Sequence, residues 1–280
     1  MLNINLKKFK SQYLRKKNQV LYYSINTEGS REVENLINNF LLEKNSFVFE
    51  SVEKGFIKGR YTIFGKNPDK IWEFNNNKCK LFYKKKVKIL KKKPKKIIES
   101  IIENFNFKIP KELPPISSII SGYFSYDIIR YIEKIANSTK NDLNIPDSRI
   151  LRPKNLIVHD NVKKKLFYIV NLYSDEKINN LEKKFKEIKN QIEEMVFLSN
   201  YKVRNIENKT IKSSKIISNI SKKKFINNVK KAKNYIKIGD IFQVVLSQRF
   251  ETKLTKKPLE IYKKLRKTNP SPFMYFFNFN

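Results

Sequence analysis

Glycine is the scarcest turning device in this chain: six residues in 280, at positions 29, 55, 59, 65, 122 and 239. Glycine reaches positive φ without steric cost, so it marks where a backbone can fold back tightly. Three of the six fall in EKGFIKGRYTIFG, directly after the strand-like FVFES, Phe47 to Ser51. That spacing predicts a hairpin with a kinked second strand. Gly122 opens GYFSYDIIRYIEKI, which reads as a turn or short strand followed by a helical stripe. A helix started by Ser221, with Phe225, Val229, Ala232 and Ile236 on one face, needs a C-terminal cap where Gly239 stands.

Apolar periodicity fills in the rest. Ser30 to Lys44 reads as a helix capped by Ser30, with Val33, Leu36, Ile37, Phe40 and Leu41 in one stripe. Asn155 to Asp160 and Lys165 to Tyr173 read as a second hairpin turning through DNVKKK. Ile178 to Phe197 suits an amphipathic helix packed on its own domain. Ile241 to Phe250 alternates: Phe242, Val244, Leu246 and Phe250 face one way, with Gln248 the polar exception, and Gln243, Ser247 and Arg249 the other, with Ile241 and Val245. That pattern predicts a strand and leaves open whether its polar face meets solvent or lines a ligand cavity. Tyr201 to Asn219 is polar and aperiodic, a linker. The expected organisation is a basic segment 1–19, a first domain 20–198, a linker 199–220 and a second domain beginning at 221.

Charge is the feature that most invites misreading. The formal net charge is +34, from 60 Lys plus Arg against 26 Asp plus Glu. Only nine of the 60 are Arg, and the chain has two alanines. Lys, Asn and Ile share A/T-rich codons, so the composition reads as mutational bias laid over an ordinary fold. Specific nucleic-acid readers cluster their cations and favour Arg forks. Here Lys is spread along the whole chain, and the densest run, YKKKVKILKKKPKKI from Tyr83 to Ile97, has few aromatics to stack bases. No specific nucleic-acid partner is expected. No run of 18 apolar residues suggests a membrane span, and the N-terminus lacks the apolar core of a secretory signal. The expected location is cytoplasmic. Cys79 and His159, the lone Cys and His, are the obvious nucleophile–base candidates for glutaminase chemistry. No glycine elbow surrounds Cys79, and the pair is not assigned catalysis.

The ordered segments SFVFESVEKGFIKGRYTIFG, GYFSYDIIRYIEKI, IPDSRILRPKNLIVHDNVKKKLFYIVNLY, AKNYIKIGDIFQVVLSQRF and NPSPFMYFF resemble anthranilate synthase component I, the chorismate-binding subunit of tryptophan biosynthesis. Five of the six glycines lie inside these segments. The sibling aminodeoxychorismate synthase component I shares GD-x-x-Q-V but usually continues with Asn-Leu. Here Val245-Leu246-Ser247-Gln248 follows the anthranilate form, and the sibling stays as an alternative.

The resemblance implies an α+β fold of largely antiparallel sheets with packed helices. It implies conversion of chorismate and ammonia to anthranilate and pyruvate with Mg2+, the ammonia coming from a glutamine amidotransferase subunit (component II). The chain has about half the length typical of the family. The second domain is therefore expected to be begun and unfinished, with the metal-binding glutamates and catalytic residues beyond residue 280. No catalytic or metal residue is carried over. A separately encoded C-terminal half is one expected partner; a non-catalytic tryptophan-sensing or docking module is the alternative. The strands from Ile241 and Phe273 are expected to lack their later neighbours and to expose unpaired edges and apolar faces. The resemblance does carry over a tryptophan feedback pocket: Glu50, Ser51, Asn269, Pro270, Pro272, Phe273 and Met274, with Phe273 where the family usually has Tyr. Arg60 is a weaker candidate for the same neighbourhood.

Overall fold

A computed structural model describes residues 2–50, 59–136, 141–202 and 215–279. Its contacts divide the chain into two compact units, residues 1–204 with 265–280, and residues 205–264.

The first unit is built on one antiparallel sheet. Its spine is a pair of long strands, β3 (Tyr61–Asn75) and β7 (Ser148–Asp160), matched from Tyr61↔Asp160 to Phe74↔Ser148 with a register shift between Pro68 and Lys70. On either side of that shift the spine takes different neighbours. The stretch holding Ile63 to Gly65 pairs with β2 (Ser46–Glu50), and the matching stretch of β7 pairs with β8 (Lys165–Leu172), which pairs with β1 (Gln19–Asn26). Beyond the shift, β3 pairs with β4 (Lys78–Tyr83), β4 with β5 (Lys86–Leu90), and β7 with β6 (Ser121–Phe124). Both hairpins expected from the sequence are present. The loop of the first, with Gly55, lies outside the described residues.

Alternation along the strands makes two cores. The rung Phe47, Gly65, Leu156, Ile169 belongs to one apolar cluster, and Phe47 lays its ring where a Gly65 Cβ would stand. The adjacent rung Val48, Phe64, Ile157, Tyr168 is fully buried on the opposite face. There α2 (Ser30–Asn39) and α4 (Leu181–Asn200) cover it, α4 inserting Phe185, Ile188, Ile192 and Met195. Buried Asn35 holds the two helices together by donating to the Ser199 carbonyl at 2.8 Å. Buried Lys66 of β3 reaches Glu194 of α4 at 2.7 Å and also bonds Glu43. The segment 1–19 is more than a basic tail: α1 (Leu6–Leu14) buries Phe9 against Phe185, with ring centroids 5.3 Å apart. A smaller cluster of Trp72, Phe74, Cys79 and Ile150 is closed by Ile97 and Ile101 of α3 (Pro94–Glu103).

Three expectations change in detail. Gly29, at φ +79°, precedes α2 as its N-cap, so Ser30 is the first helical residue and not the cap. Helix α2 ends at Asn39 and tightens into a 3-10 turn, Phe40–Leu42, before Lys44. After Gly122 the helical stripe is a 3-10 helix, Tyr126–Tyr131, with no buried residue.

The turns show how a glycine-poor chain manages. The β3–β4 loop is Asn76-Asn77 (φ +46° and +60°), and the β4–β5 loop is Lys84-Lys85 (φ +48° and +61°). Positive φ at both central residues is the hairpin turn that favours Asn-Gly, and Lys pays a Cβ clash there. Replacing Lys84→Asn and Lys85→Gly together is expected to stabilise the chain by about 1 kcal/mol, read as a rise in Tm of about 2–4 °C by circular dichroism. An unchanged or lower Tm would show that the lysines carry no strain.

The second unit holds α5 (Lys222–Lys237), β9 (Ile217–Ser218) paired with β10 (Phe250–Glu251), and most of α6 (Pro258–Thr268). Ser221 caps α5 through Lys224 N–H. Gly239, φ +84°, ends it in a Schellman motif: Gly239 N–H to Ile236 O at 3.2 Å and Asp240 N–H to Tyr235 O at 3.0 Å. The expected strand over 241–250 is not formed; only Phe250 and Glu251 enter a ladder. A strand pattern without a partner strand has no hydrogen bonds to hold it, and Phe242 is fully exposed. Within α5 no residue is buried. The last strand, β11 (Met274–Asn278), does find a neighbour, and it belongs to the first unit: it pairs antiparallel with β2, so the sheet runs β1-β8-β7-β3-β2-β11 at that end.

Candidate functional site

The β2–β11 pairing puts two distant predicted site segments side by side. Met274 is the register partner of Glu50. Glu50 ends β2 with its side chain 1% exposed, and Met274 is buried beside it. A carboxylate so deep needs a charge partner. Arg266, in the last turn of α6, supplies it: its Nε donates to both carboxylate oxygens, at 2.8 and 2.9 Å. Asn269 closes that helix by donating its N–H to the Leu265 carbonyl at 2.8 Å. Pro270, half-buried, and Pro272, exposed, then carry the chain into β11. Phe273 stands 88% exposed at the mouth of this segment. Ser51 lies outside the described residues.

The corner brings together a buried carboxylate, a guanidinium against it, and an apolar stretch of proline, Phe273 and Met274. Arg266 was not among the predicted residues. The available signal was rarity, since an Arg in a chain that uses Lys almost everywhere points to a bidentate or planar contact. Arg60 goes elsewhere. Its guanidinium bonds the Asp160 carboxylate, Nη2 to Oδ2 at 3.1 Å, and lies over the Tyr61 ring. Asp160 also accepts from Val162 and Lys163 N–H, which together with Arg60 hold its carboxyl below the usual range.

Cys79 and His159 do not meet. Cys79 pairs across β4 with Phe74, which faces Ser148, whereas His159 is eleven residues along β7 from Ser148, roughly 35 Å at strand rise. Burial, with Glu73 nearby, pushes the Cys79 thiol up to about 12. Burial lowers the His159 pKa, and its Nε2 lies 3.5 Å from the Thr27 carbonyl. A buried, protonated thiol and a packed imidazole are core residues, not a nucleophile and its base.

Among the described residues no group of three or more His, Cys, Asp and Glu is arranged to hold a metal ion. The side chains at Glu50 offer one carboxylate facing a guanidinium, which repels a cation, so the corner does not fit Mg2+. Two cavities lie elsewhere. One, of about 760 Å³, is walled by residues 2–6, Tyr23 and α4; the other, of about 630 Å³, lies between β5 and α3. No helix among the described residues is long and apolar enough to cross a membrane.

Comparison with known proteins identifies the family. The sequence profile of the family described as chorismate binding enzyme matches residues 45–280. Anthranilate synthase component 1 of Acetivibrio thermocellus is 35% identical over 241 residues, covering 83% of this chain and 48% of that protein. The component 1 of Cereibacter sphaeroides is 29% identical over 268 residues, covering 94% of this chain and 54% of that protein. A crystal structure of anthranilate synthase component I from Streptococcus pneumoniae superposes with a TM-score of 0.63 at 25% identity, over 82% of this chain and 50% of that one. The chain thus spans about half the length of the curated relatives it matches.

Proposed function

We propose a function for a chain that belongs to the chorismate binding enzyme family: it is the tryptophan-sensing part of anthranilate synthase component I. With the remaining half of the relatives' length and a glutamine amidotransferase subunit, the assembled protein turns chorismate and ammonia into anthranilate, pyruvate and water. Mg2+ would supply charge neutralisation on the substrate carboxylates when bound. Its ligands and the proton-transfer groups belong to the half that this chain does not match.

One observation supports a sensing role for this half: the antiparallel register that sets Met274 opposite Glu50 with Arg266 on the Glu50 carboxylate. Tryptophan presents the complementary set. Its ammonium goes to Glu50 and Ser51, its carboxylate to Arg266, and its indole against Pro270, Pro272, Phe273 and Met274, with Asn269 fixing the turn. Phenylalanine at 273 supplies the apolar wall without a hydroxyl. Because the ligand would sit on the β2–β11 seam, its binding would tighten the attachment of 265–280 to the sheet.

The test is anthranilate fluorescence with chorismate, Mg2+ and ammonia. This chain is assayed alone, and then mixed with the portion of the Acetivibrio thermocellus enzyme that it does not match. Each tube alone is expected to be silent and the mixture active, with activity lost on adding tryptophan. A silent mixture of two folded polypeptides would overturn the proposed reaction. An active mixture indifferent to tryptophan would overturn the sensing role alone.

A further inference from the structure

The densest lysine run lies along a free strand edge. Among the described residues β5 pairs only with β4. The two-residue loop Lys84-Lys85 makes Tyr83 and Lys86 a hydrogen-bonded pair, and alternation makes Leu81↔Lys88 and Cys79↔Leu90 the same. The N–H and C=O groups of Val87 and Ile89 therefore point away from β4, into solvent. Val87 and Ile89 are 58% and 62% exposed. From Lys84 to Lys96 there are nine lysines and no acidic residue. Among the described residues only Lys96 has an ion partner, Glu99 at 3.1 Å.

Beside this edge runs the cavity of about 630 Å³. Its floor is apolar, with Trp72, Ile97 and Ile101, and its rim carries Lys88 of β5 and, just past the strand, Lys91 and Lys92. The carboxylate in its wall, Asp175, is already taken by Lys70 at 2.5 Å and Arg152 at 2.9 Å. The groove thus presents net positive charge over an apolar floor.

We propose that β5 and this groove form a docking site for an acidic, extended polypeptide segment of a partner protein. The segment adds as a strand at Val87 and Ile89, with its carboxylates on the lysines and one apolar side chain in the groove. The charge chooses the partner. A second copy would bring the same lysines against themselves, and edge lysines suppress such self-pairing. A single-stranded nucleic acid needs flat rings to stack on. The run's one aromatic, Tyr83, is already flanked by Lys70 and Lys84, with ammonium groups 5.5 and 5.4 Å from its ring centre. Strand addition instead uses main-chain groups that are present and unused, with alternate side chains reading the surface.

The experiment is fluorescence anisotropy of the full chain with a labelled nine-residue peptide alternating Glu and Val. Its controls are a same-charge peptide with proline at its centre and a single-stranded oligonucleotide. The alternating peptide is expected to bind at least tenfold tighter than the proline peptide. Ile89→Pro, which removes an outward N–H that β4 does not use, is expected to weaken it at least tenfold. Charge reversal at Lys88, Lys91 and Lys92 should do the same. In the unaltered chain, hydrogen exchange at Val87 and Ile89 should slow when the peptide is added. Equal binding of both peptides, an Ile89→Pro chain that binds normally, exchange unchanged at those amides, or an oligonucleotide that outcompetes the peptide would each overturn the proposal in favour of a plain cationic surface.

Discussion

A Gly29→Ala chain is expected to melt about 6–12 °C below the parent, corresponding to a loss on the order of 3 kcal/mol. Two costs add at this residue. Gly29 sits at φ +79°, where a Cβ costs about 1–2 kcal/mol. The Cβ would also stand 2.1 Å from Nε2 of His159, a side chain buried to 2% exposure that has no room to swing aside, and overpacking of this kind costs about 1–3 kcal/mol. The position matters because it starts α2: the Gly29 carbonyl accepts from Val33 N–H at 2.8 Å, and the Gly29 N–H is held by Thr27 Oγ1 at 3.1 Å. Gly239 is the internal control. It has nearly the same φ, +84°, but nothing within 4 Å of its missing Cβ, so Gly239→Ala should cost only the backbone share of about 1–2 kcal/mol. Pairing Gly29→Ala with His159→Ala should cost less than the sum of the two single changes, because the methyl enters the space that the ring leaves. Thermal melts of the four chains decide it. Additive losses would mean that the imidazole does not crowd the helix start.

The second large effect is expected at Arg266. Removing its guanidinium with Arg266→Ala leaves the Glu50 carboxylate buried at the β2–β11 seam without the cation whose Nε–H its two oxygens share. Breaking a buried pair typically costs about 3–5 kcal/mol. Glu50 has further interactions, which places the loss nearer 3 kcal/mol. The cost falls locally. Amides of Met274 to Asn278 should exchange roughly a hundredfold faster while those of β7 and β8 keep their protection, because β11 is held only along one edge among the described residues. Arg266→Lys should recover part of the loss, since an ammonium supplies charge without the planar fork. Unchanged exchange in β11 after Arg266→Ala would show that Phe277, packed on Phe47 and Phe49 at 5.6 and 5.5 Å between ring centres, is sufficient to hold the strand.

What the sequence made legible follows local physics. The strand expected over 165–173 (Lys165–Leu172 in the structure), the helix expected over 178–197 (Leu181–Asn200, three residues later) and the Gly239 cap are readable because their signals are periodic or rest on one residue's φ preference. Gly29 as N-cap was missed because Ser30 is the stronger cap by side-chain chemistry, while the cramped approach of His159, which admits only glycine, is a tertiary fact. The strand expected over 241–250 had the right alternation, but a strand exists only where another strand accepts its hydrogen bonds, and pairing partners are not written in alternation. The site divides the same way. Glu50 and the 269–274 segment came from resemblance of motifs, whereas their junction through Arg266 depends on which strand β11 joins. The same non-local choice makes 265–280 part of the first unit, with β11 on its sheet.

That choice also sets a timetable. Arg266 lies 216 residues beyond the Glu50 it neutralises. At synthesis rates of about 5–20 residues per second, a ribosome needs roughly 10–45 s to deliver it. Through that interval β2 has β3 on one side and, on the other, a bare row of amides flanked by Phe47 and Phe49, the kind of nascent surface on which chaperones settle and neighbouring chains tangle.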